Sequence, residues 1–432
     1  MRKQLLFIFF IFSILAACKK EDDNLFGNSP DARLNDTLKK YQSILTGAEH
    51  GWKGLIFPDG MPHAVFAFYF KFNDSNRVQM YADYDSTSAV TMKESSYRLK
   101  ALQQPSLLFD TYSYIHLLSD PDAAVNGGVY GEGLYSDFEF SMDGIAGDTI
   151  KLTGRFHGSK AFIVKATAEE EAAYNNKTNN RLIDNIDKYL TYFKKLTTGG
   201  INYDIAFSII TRSARFSWID ADGKEHVEIT GFYYTPDGVA FYPAVNGTVT
   251  AFNNITWSPS TTTLSFTING TAATIKETAK PIIVDKTAAK TWYNLAADQA
   301  SYWVTYTGFH VNGVDDYYGI QQLPNYYFLI YYPKYSTSGG VLYDLLGFVT
   351  NDGTGAGLEY GPAFSAPTFT TDGRIVFPYL GDLGTYPDDP TPIANTITKI
   401  TESNGYYLVQ TGTNSFDMVS AKDGRAWISW IY

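Results

Sequence analysis

The chain has 432 residues, a formal net charge of −11, one cysteine, and 33 Tyr, 29 Phe and 7 Trp against only 18% charged residues. The acidic balance argues against nucleic acid as a partner, since phosphate binding needs a basic footprint. A single cysteine rules out an intrachain disulfide framework, so stability has to come from apolar burial over the two or three domains that this length allows.

The cysteine sits at the end of an N-terminal apolar run. Arg2 and Lys3 form a basic start, Leu5 to Leu15 the apolar run, and Leu15-Ala16-Ala17-Cys18 a small-residue cleavage site. The run is shorter than the roughly 20 residues a span needs, and its basic–apolar–small order is that of a removed targeting segment. Residues 1–17 are therefore expected to be a lipoprotein signal peptide, with lipid on Cys18 and the membrane as a partner through that lipid. An ordinary secretory leader with an incidental cysteine is the alternative. The following Lys19, Lys20, Glu21, Asp22 and Asp23 resemble the charged export tether of Bacteroidota lipoproteins. That implies an outer-membrane, lipid-anchored protein facing outside the cell, against a plain spacer on a periplasm-facing one. Loss of the leader removes Arg2 and Lys3 and no acid, leaving a formal charge of about −13.

Downstream, short β-branched or aromatic runs at 64–72 (AVFAFYFKF), 77–82 (RVQMYA), 160–166 (KAFIVKA) and 375–379 (IVFPY) alternate with turn signals. The turns are Asn73-Asp74-Ser75-Asn76, Asp222-Gly223, Asp237-Gly238, Asn269-Gly270 and Asp372-Gly373, which tolerate positive φ. The fold class expected is α+β, mainly antiparallel β.

Two helices interrupt it. Ser29-Pro30-Asp31 starts one, with Leu34, Leu38, Tyr41, Leu45 and Ala48 at helical spacing up to Gly51. The second is expected at 181–196, with Leu182, Ile186, Tyr189, Phe193 and Leu196 as its stripe. Both carry R-L-x-D-x-(L/I)-x-K-Y, at 33–41 and 181–189, and the same offset brings Gly51 onto Gly199. The pattern reads as duplicated helix-plus-β-meander units. A third, degraded unit is suggested where 369–377 echoes 233–241; no R-L-x-D helix precedes it, and 288–301 is the candidate short helix in that place. The expected divisions are signal peptide 1–17, tether 18–30, helix-plus-β domains 31–168 and 169–285, and an aromatic-rich β region 286–432 that could share a sheet with its predecessor.

The lipobox, the tether, the S-P-x-x-R-L-x-x-x-L-x-x-Y helix at 29–41 and A-E-x-G-W-K-G at 48–54 together resemble an uncharacterised family of Bacteroidota surface lipoproteins. Its members are often encoded beside SusC/SusD-like importers and secreted hydrolases. The resemblance carries no activity; it implies an accessory of nutrient capture, with such an importer as partner.

No catalytic residue, cofactor or metal site is legible. H-E-x-x-H, G-x-S-x-G, Walker A and dinucleotide motifs are absent from the sequence. The six histidines, at 50, 63, 116, 157, 226 and 310, lack metal-ligand spacing. Acidic turns at 220–223 and 351–355 and the carboxylates Asp382, Asp388 and Asp389 offer oxygen ligands without completing an EF-hand; hairpin geometry explains the same residues.

The candidate ligand site is aromatic: Tyr317 and Tyr318, and the run 326–332 (YYFLIYY), in which Tyr327 and Tyr331 share one face by strand alternation. Exposed rings could stack on sugars or peptide side chains, whereas a strand buried on both faces explains the run without a ligand. The leading expectation is a non-catalytic glycan- or peptide-binding or scaffold lipoprotein. The alternative is a secreted hydrolase with a noncanonical carboxylate or metal site.

Overall fold

The computed structural model describes residues 30–432, with side chains from residue 32 onward. The leader, Cys18 and the charged tether at 19–23 lie outside the described residues.

Eight antiparallel strands close the first barrel: β1 (Trp52–Phe57), β2 (Phe66–Phe72), β3 (Arg77–Ala82), β4 (Lys93–Ala101), β5 (Pro105–Phe109), β6 (Glu139–Ala146), β7 (Thr149–Gly154) and β8 (Lys160–Lys165). Closure runs from Trp52 opposite Lys165 to Phe57 opposite Lys160, which leaves no free edge to aggregate. Strand β2 shows why its run is apolar without alternation. Phe66, Phe68, Phe70 and Phe72 fill the lumen. Ala67 on the opposite face lies with Leu55 and Val65 against Tyr233, and Tyr69 stacks on Tyr174 of the helix Ala168–Asn175.

A second eight-stranded barrel follows, with β9 (Phe193–Thr198), β10 (Ile201–Ser208), β11 (Ser213–Ile219), β12 (Glu225–Thr235), β13 (Gly238–Val245), β14 (Val249–Ser258), β15 (Thr263–Ile268) and β16 (Thr271–Thr278). Strand β9 closes on β16, and Phe216, Phe232, Phe241, Phe252 and Phe266 pack inside. The barrels meet closely: a Cβ on Gly231 of β12 would lie 1.8 Å from the carbonyl of His63 in the first barrel.

Each barrel core receives side chains from the segment before it. Helix Pro30–Thr46 contributes Tyr41 and Leu45, followed by Ala48, to the first core, and Trp52 Nε1 donates to the Leu45 carbonyl at 2.9 Å. The helix ends at Thr46, short of Gly51. Gly51 instead turns the chain into β1 at φ 74°, where a Cβ would lie 2.6 Å from the Phe70 carbonyl.

The second expected helix is corrected. Residues Leu182–Lys188 form a 3₁₀ turn, and Phe193–Thr198 is a strand. Ile183, Ile186 and Tyr189 enter the second core, but Leu182 is exposed. The three-residue spacing of Phe193 and Leu196 lines up on a helix and points to opposite faces of a strand: Leu196 faces the lumen, Phe193 the neighbouring sheet. The proposed repeat register also departs from the barrels, because Gly51 precedes β1 whereas Gly199 follows β9.

The C-terminal region is an eleven-stranded antiparallel sheet: β17 (Trp303–Thr305), β18 (His310–Val311), β19 (Tyr326–Ser338), β20 (Val341–Asn351), β21 (Ala356–Phe364), β22 (Thr368–Phe369), β23 (Arg374–Val376), β24 (Tyr379–Leu383), β25 (Tyr406–Gly412), β26 (Ser415–Ser420) and β27 (Ala426–Ile431). It is separate from the second barrel's sheet. The run at 375–379 divides between β23 and β24, with Pro378, which cannot donate to a ladder, at the break. Helix Ala288–Asp298 forms where a short helix is expected, and Trp292 and Tyr293 join the sheet's core. Helix Thr391–Ile400 is β-branched and escapes a propensity reading; Ile393 and Ile400 bury its inner face.

Candidate functional site

Strand β19 carries the expected aromatic site and divides it. A register shift between Tyr326 and Phe328 breaks the alternation, so Tyr327 and Tyr331 do not form an outward pair. Tyr327 is 48% exposed and Tyr331 is 0%. Tyr331 is corrected from ligand contact to core residue. Its ring lies 5.0 Å from that of Trp292, and its hydroxyl donates to Asp344 Oδ2 at 2.6 Å. Asp344 Oδ1 accepts from Tyr293 Oη at 3.1 Å and from the Lys334 amide at 2.6 Å. Burial raises the Asp344 carboxyl, with these hydrogen bonds opposing the rise.

The exposed rings fall into separate groups. Tyr327 lies beside Phe328 at 4.9 Å, and Tyr306 meets Phe328 edge-on at 6.1 Å. Further along, Tyr332 packs between Tyr302 at 5.7 Å and Tyr335 at 5.3 Å, with its hydroxyl on the Ala300 carbonyl. Tyr302, Tyr306, Tyr327 and Tyr335 all keep substantial exposure. Elsewhere, Tyr317 is exposed against Tyr318 at 5.3 Å, and Tyr318 turns inward onto Phe309. Tyr302, Tyr306 and Tyr335 escaped the sequence reading because they lie outside the dense run; only pairing across β17 and β19 gathers them.

The polar candidates serve local structure. Among the described residues no three His, Cys, Asp or Glu side chains are grouped to hold a metal ion. His50, His226 and His310 each sit beside a separate carboxylate, Glu171, Asp220 and Asp315 respectively. Asp220 Oδ1 accepts the Asp222 and Lys224 amides within its hairpin, and Asp352 Oδ1 accepts from Thr354. Asp382 accepts from Tyr386 and Asp389 from the Thr391 amide.

A cleft of about 600 Å³, invisible to the sequence reading, lies between the second barrel and the C-terminal sheet. Its walls include Phe193, Ile229, Ile283, Tyr407 and Val409. Asp204 of β10 and Ser217 of β11 stand opposite one another in register on the barrel side. Asp204 Oδ2 accepts the Ile282 and Ile283 amides at 2.6 and 3.2 Å, clamping the segment that leads from the barrel to the sheet. Asp204 Oδ1 and Ser217 Oγ are buried and bond no described residue. Burial pushes the Asp204 carboxyl up to about 6, against the two amides and Arg215, which lower it. Lys194, also lining the cleft, is lowered by burial, with Asp187 and Glu277 opposing.

A family model described as a domain of unknown function, DUF4302, matches residues 22–259. The chain belongs to the DUF4302 family. The matched span covers the first barrel and the second as far as β14. No curated protein matches the sequence. Among solved structures, the β subunit of DNA polymerase from Streptococcus pyogenes is 8% identical, covering 91% of this chain and 97% of its own, at a TM-score of 0.15. A DUF3598 family protein of unknown function from Nostoc punctiforme PCC 73102 is 10% identical, covering 57% and 84%, at 0.13. At such scores neither likeness transfers a fold or a function.

Proposed function

We propose that this protein is a non-catalytic, lipid-anchored binding or scaffold lipoprotein at the outer face of a Bacteroidota outer membrane, holding a glycan or peptide for a SusC/SusD-like importer. The observation that carries the binding reading is the set of partly exposed rings on β17, β19 and their flanks, Tyr302, Tyr306, Tyr327, Phe328, Tyr332 and Tyr335. Rings held edge-on or tilted against one another present apolar faces with polar rims, which suit sugar faces and peptide side chains. Anchoring follows from the basic–apolar–small order before Cys18; among the described residues no helix is long and apolar enough to cross a membrane. Duplication of an apolar entry segment followed by a β-meander belongs to the same proposal, supported by the shared motif at 33–41 and 181–189.

Glycan and peptide libraries screened for both retention and cleavage test the class. Retention by the wild type, weakened by roughly 1–3 kcal/mol in Tyr306→Ala and Tyr327→Ala with unchanged thermal stability, is the expected outcome. Reproducible cleavage abolished by a single Asp, Glu or His substitution would replace binding with hydrolysis. Cys18→Ala should release the protein from membranes, and protease added to whole cells should cut the wild type; protection until lysis overturns the outward orientation.

A further inference from the structure

We propose a second binding site, separate from the aromatic surface, in the cleft between the second barrel and the C-terminal sheet, taking a neutral polyhydroxyl ligand the size of one or two sugar units. Ser217 is 2% exposed, and its Oγ, like Asp204 Oδ1, has no partner among the described residues. Buried polar atoms are ordinarily satisfied; these two sit on directly opposed residues of adjacent strands and keep almost no surface of their own, so a ligand's hydroxyls reach them once the Ser217 side chain turns toward the cleft, one donating to the carboxylate and one exchanging with the serine. Ser217 Oγ turns about a single torsion to meet such a group. Arg215, two residues along β11 on the same outward face, is exposed and lies near enough to Asp204 to oppose the rise of its carboxyl.

The opposite wall selects the class. Tyr407 and Val409 of β25 pack on the side that meets Phe193 of the barrel, and the Tyr407 ring stands 6.3 Å from that of Phe193, edge-on. An aromatic and aliphatic wall facing two hydroxyl-sized polar points suits a pyranose, which has an apolar face and an equatorial rim of hydroxyls. An anion would meet Asp204, and a cation would meet Arg215 and Lys194. The volume of about 600 Å³ lies in the range of small-molecule sites. The raised Asp204 carboxyl accords with an acceptor that the fold leaves uncompensated.

The test is methyl-detected NMR of the mature chain with Ile and Val labels, titrated with maltose, cellobiose, xylobiose and mannobiose, and with glucuronate and a blocked dipeptide as controls. Saturable shifts at Ile205, Ile229, Ile283, Val284 and Val409 are expected with at least one neutral disaccharide. The affinity should fall on the order of tenfold in Ser217→Ala and in Asp204→Asn, which keeps an oxygen for the linker amides and turns the free acceptor into a donor. Tyr327→Ala should leave these shifts unchanged, so failure here is distinguishable from failure of the aromatic surface. Three outcomes overturn the proposal: no disaccharide moving these methyls up to about 50 mM, which marks a hydrated gap between domains only; equal affinity in Ser217→Ala; or saturation by glucuronate or the dipeptide in place of the sugars.

Discussion

Tyr331 and Asp344 show how one side chain decides what a strand offers to solvent. The hydroxyl of Tyr331 is one of three donors that hold a carboxylate 1% exposed, and a hydrogen bond to such a group contributes about 1.5–3 kcal/mol. Tyr331→Phe should therefore destabilise the protein by about that amount in urea unfolding, while Tyr327→Phe should be neutral. Asp204 gives a pH signature. Its folded carboxyl lies near 6 against an ordinary 3.8, so the protonated form favours the folded state. That contribution is fully present below pH 3.8 and is lost as pH rises through about 6. Asp204→Asn should flatten the stability profile within that window, by up to about 3 kcal/mol across it. An unchanged slope in paired wild-type and variant unfolding curves would remove the buried, uncompensated carboxylate from the account.

At the scale of elements, the two plugs are built differently. Helix Pro30–Thr46 presents Tyr41 and Leu45 to the first core while Leu34 and Leu38 stay half-buried. The 3₁₀ turn Leu182–Lys188 sinks Ile183 and Ile186 fully into the second. Tyr189 then fastens it, donating to the Ile275 carbonyl at 2.6 Å and accepting from the Leu264 amide at 2.9 Å. Ile186→Ala should cost about 2–5 kcal/mol, the range for a buried large-to-small change. Leu38→Ala should cost visibly less, since part of that side chain is already in water. Thermal unfolding of the two variants in the full chain ranks them; the reverse order would mean that the first helix is seated deeper than its burial indicates.

Across the whole molecule, the barrels are joined by a buried ion pair. Asp83, just after β3, accepts from the Ala67 amide through Oδ1 and from Arg212 Nη1 and the Tyr234 amide through Oδ2, each at 2.9 Å. The Arg212 guanidinium lies 4.7 Å from the Phe66 ring and 4.5 Å from Tyr234, one ring from each barrel, and both charged partners are buried. Removing one partner leaves an uncompensated buried charge, so Arg212→Met should cost about 3–5 kcal/mol and separate the unfolding of the two barrels. Asp83→Asn in the same chain should recover part of that loss. A single, unshifted calorimetric transition in Arg212→Met would show the junction to be held by its apolar contacts alone.

The residue pattern by itself determined that the chain is β-rich and antiparallel, because alternation and turn dipeptides such as Asn73–Asn76 and Asn269-Gly270 act within a few residues. The helix at 30–46 was legible for the same reason, its apolar spacing and Ser29-Pro30-Asp31 start being local; the one at 288–298 was suggested only by its place ahead of a degraded repeat. Barrel closure, by contrast, depends on β1 meeting β8 and β9 meeting β16, pairings between segments far apart in the chain that no local window records. Residues 193–196 could be read as helix because their three-residue spacing lines both side chains along one face of a helix, whereas on a strand it sends Leu196 into the lumen and Phe193 toward the neighbouring sheet, and only that sheet chooses. Tyr331 was drawn inward by Asp344 on the next strand, and Tyr327 was set outward by a bulge. Asp204 and Ser217 became a pair because register placed them opposite one another and the C-terminal sheet walled them in, a juxtaposition made by tertiary packing and by nothing in either residue's sequence neighbourhood.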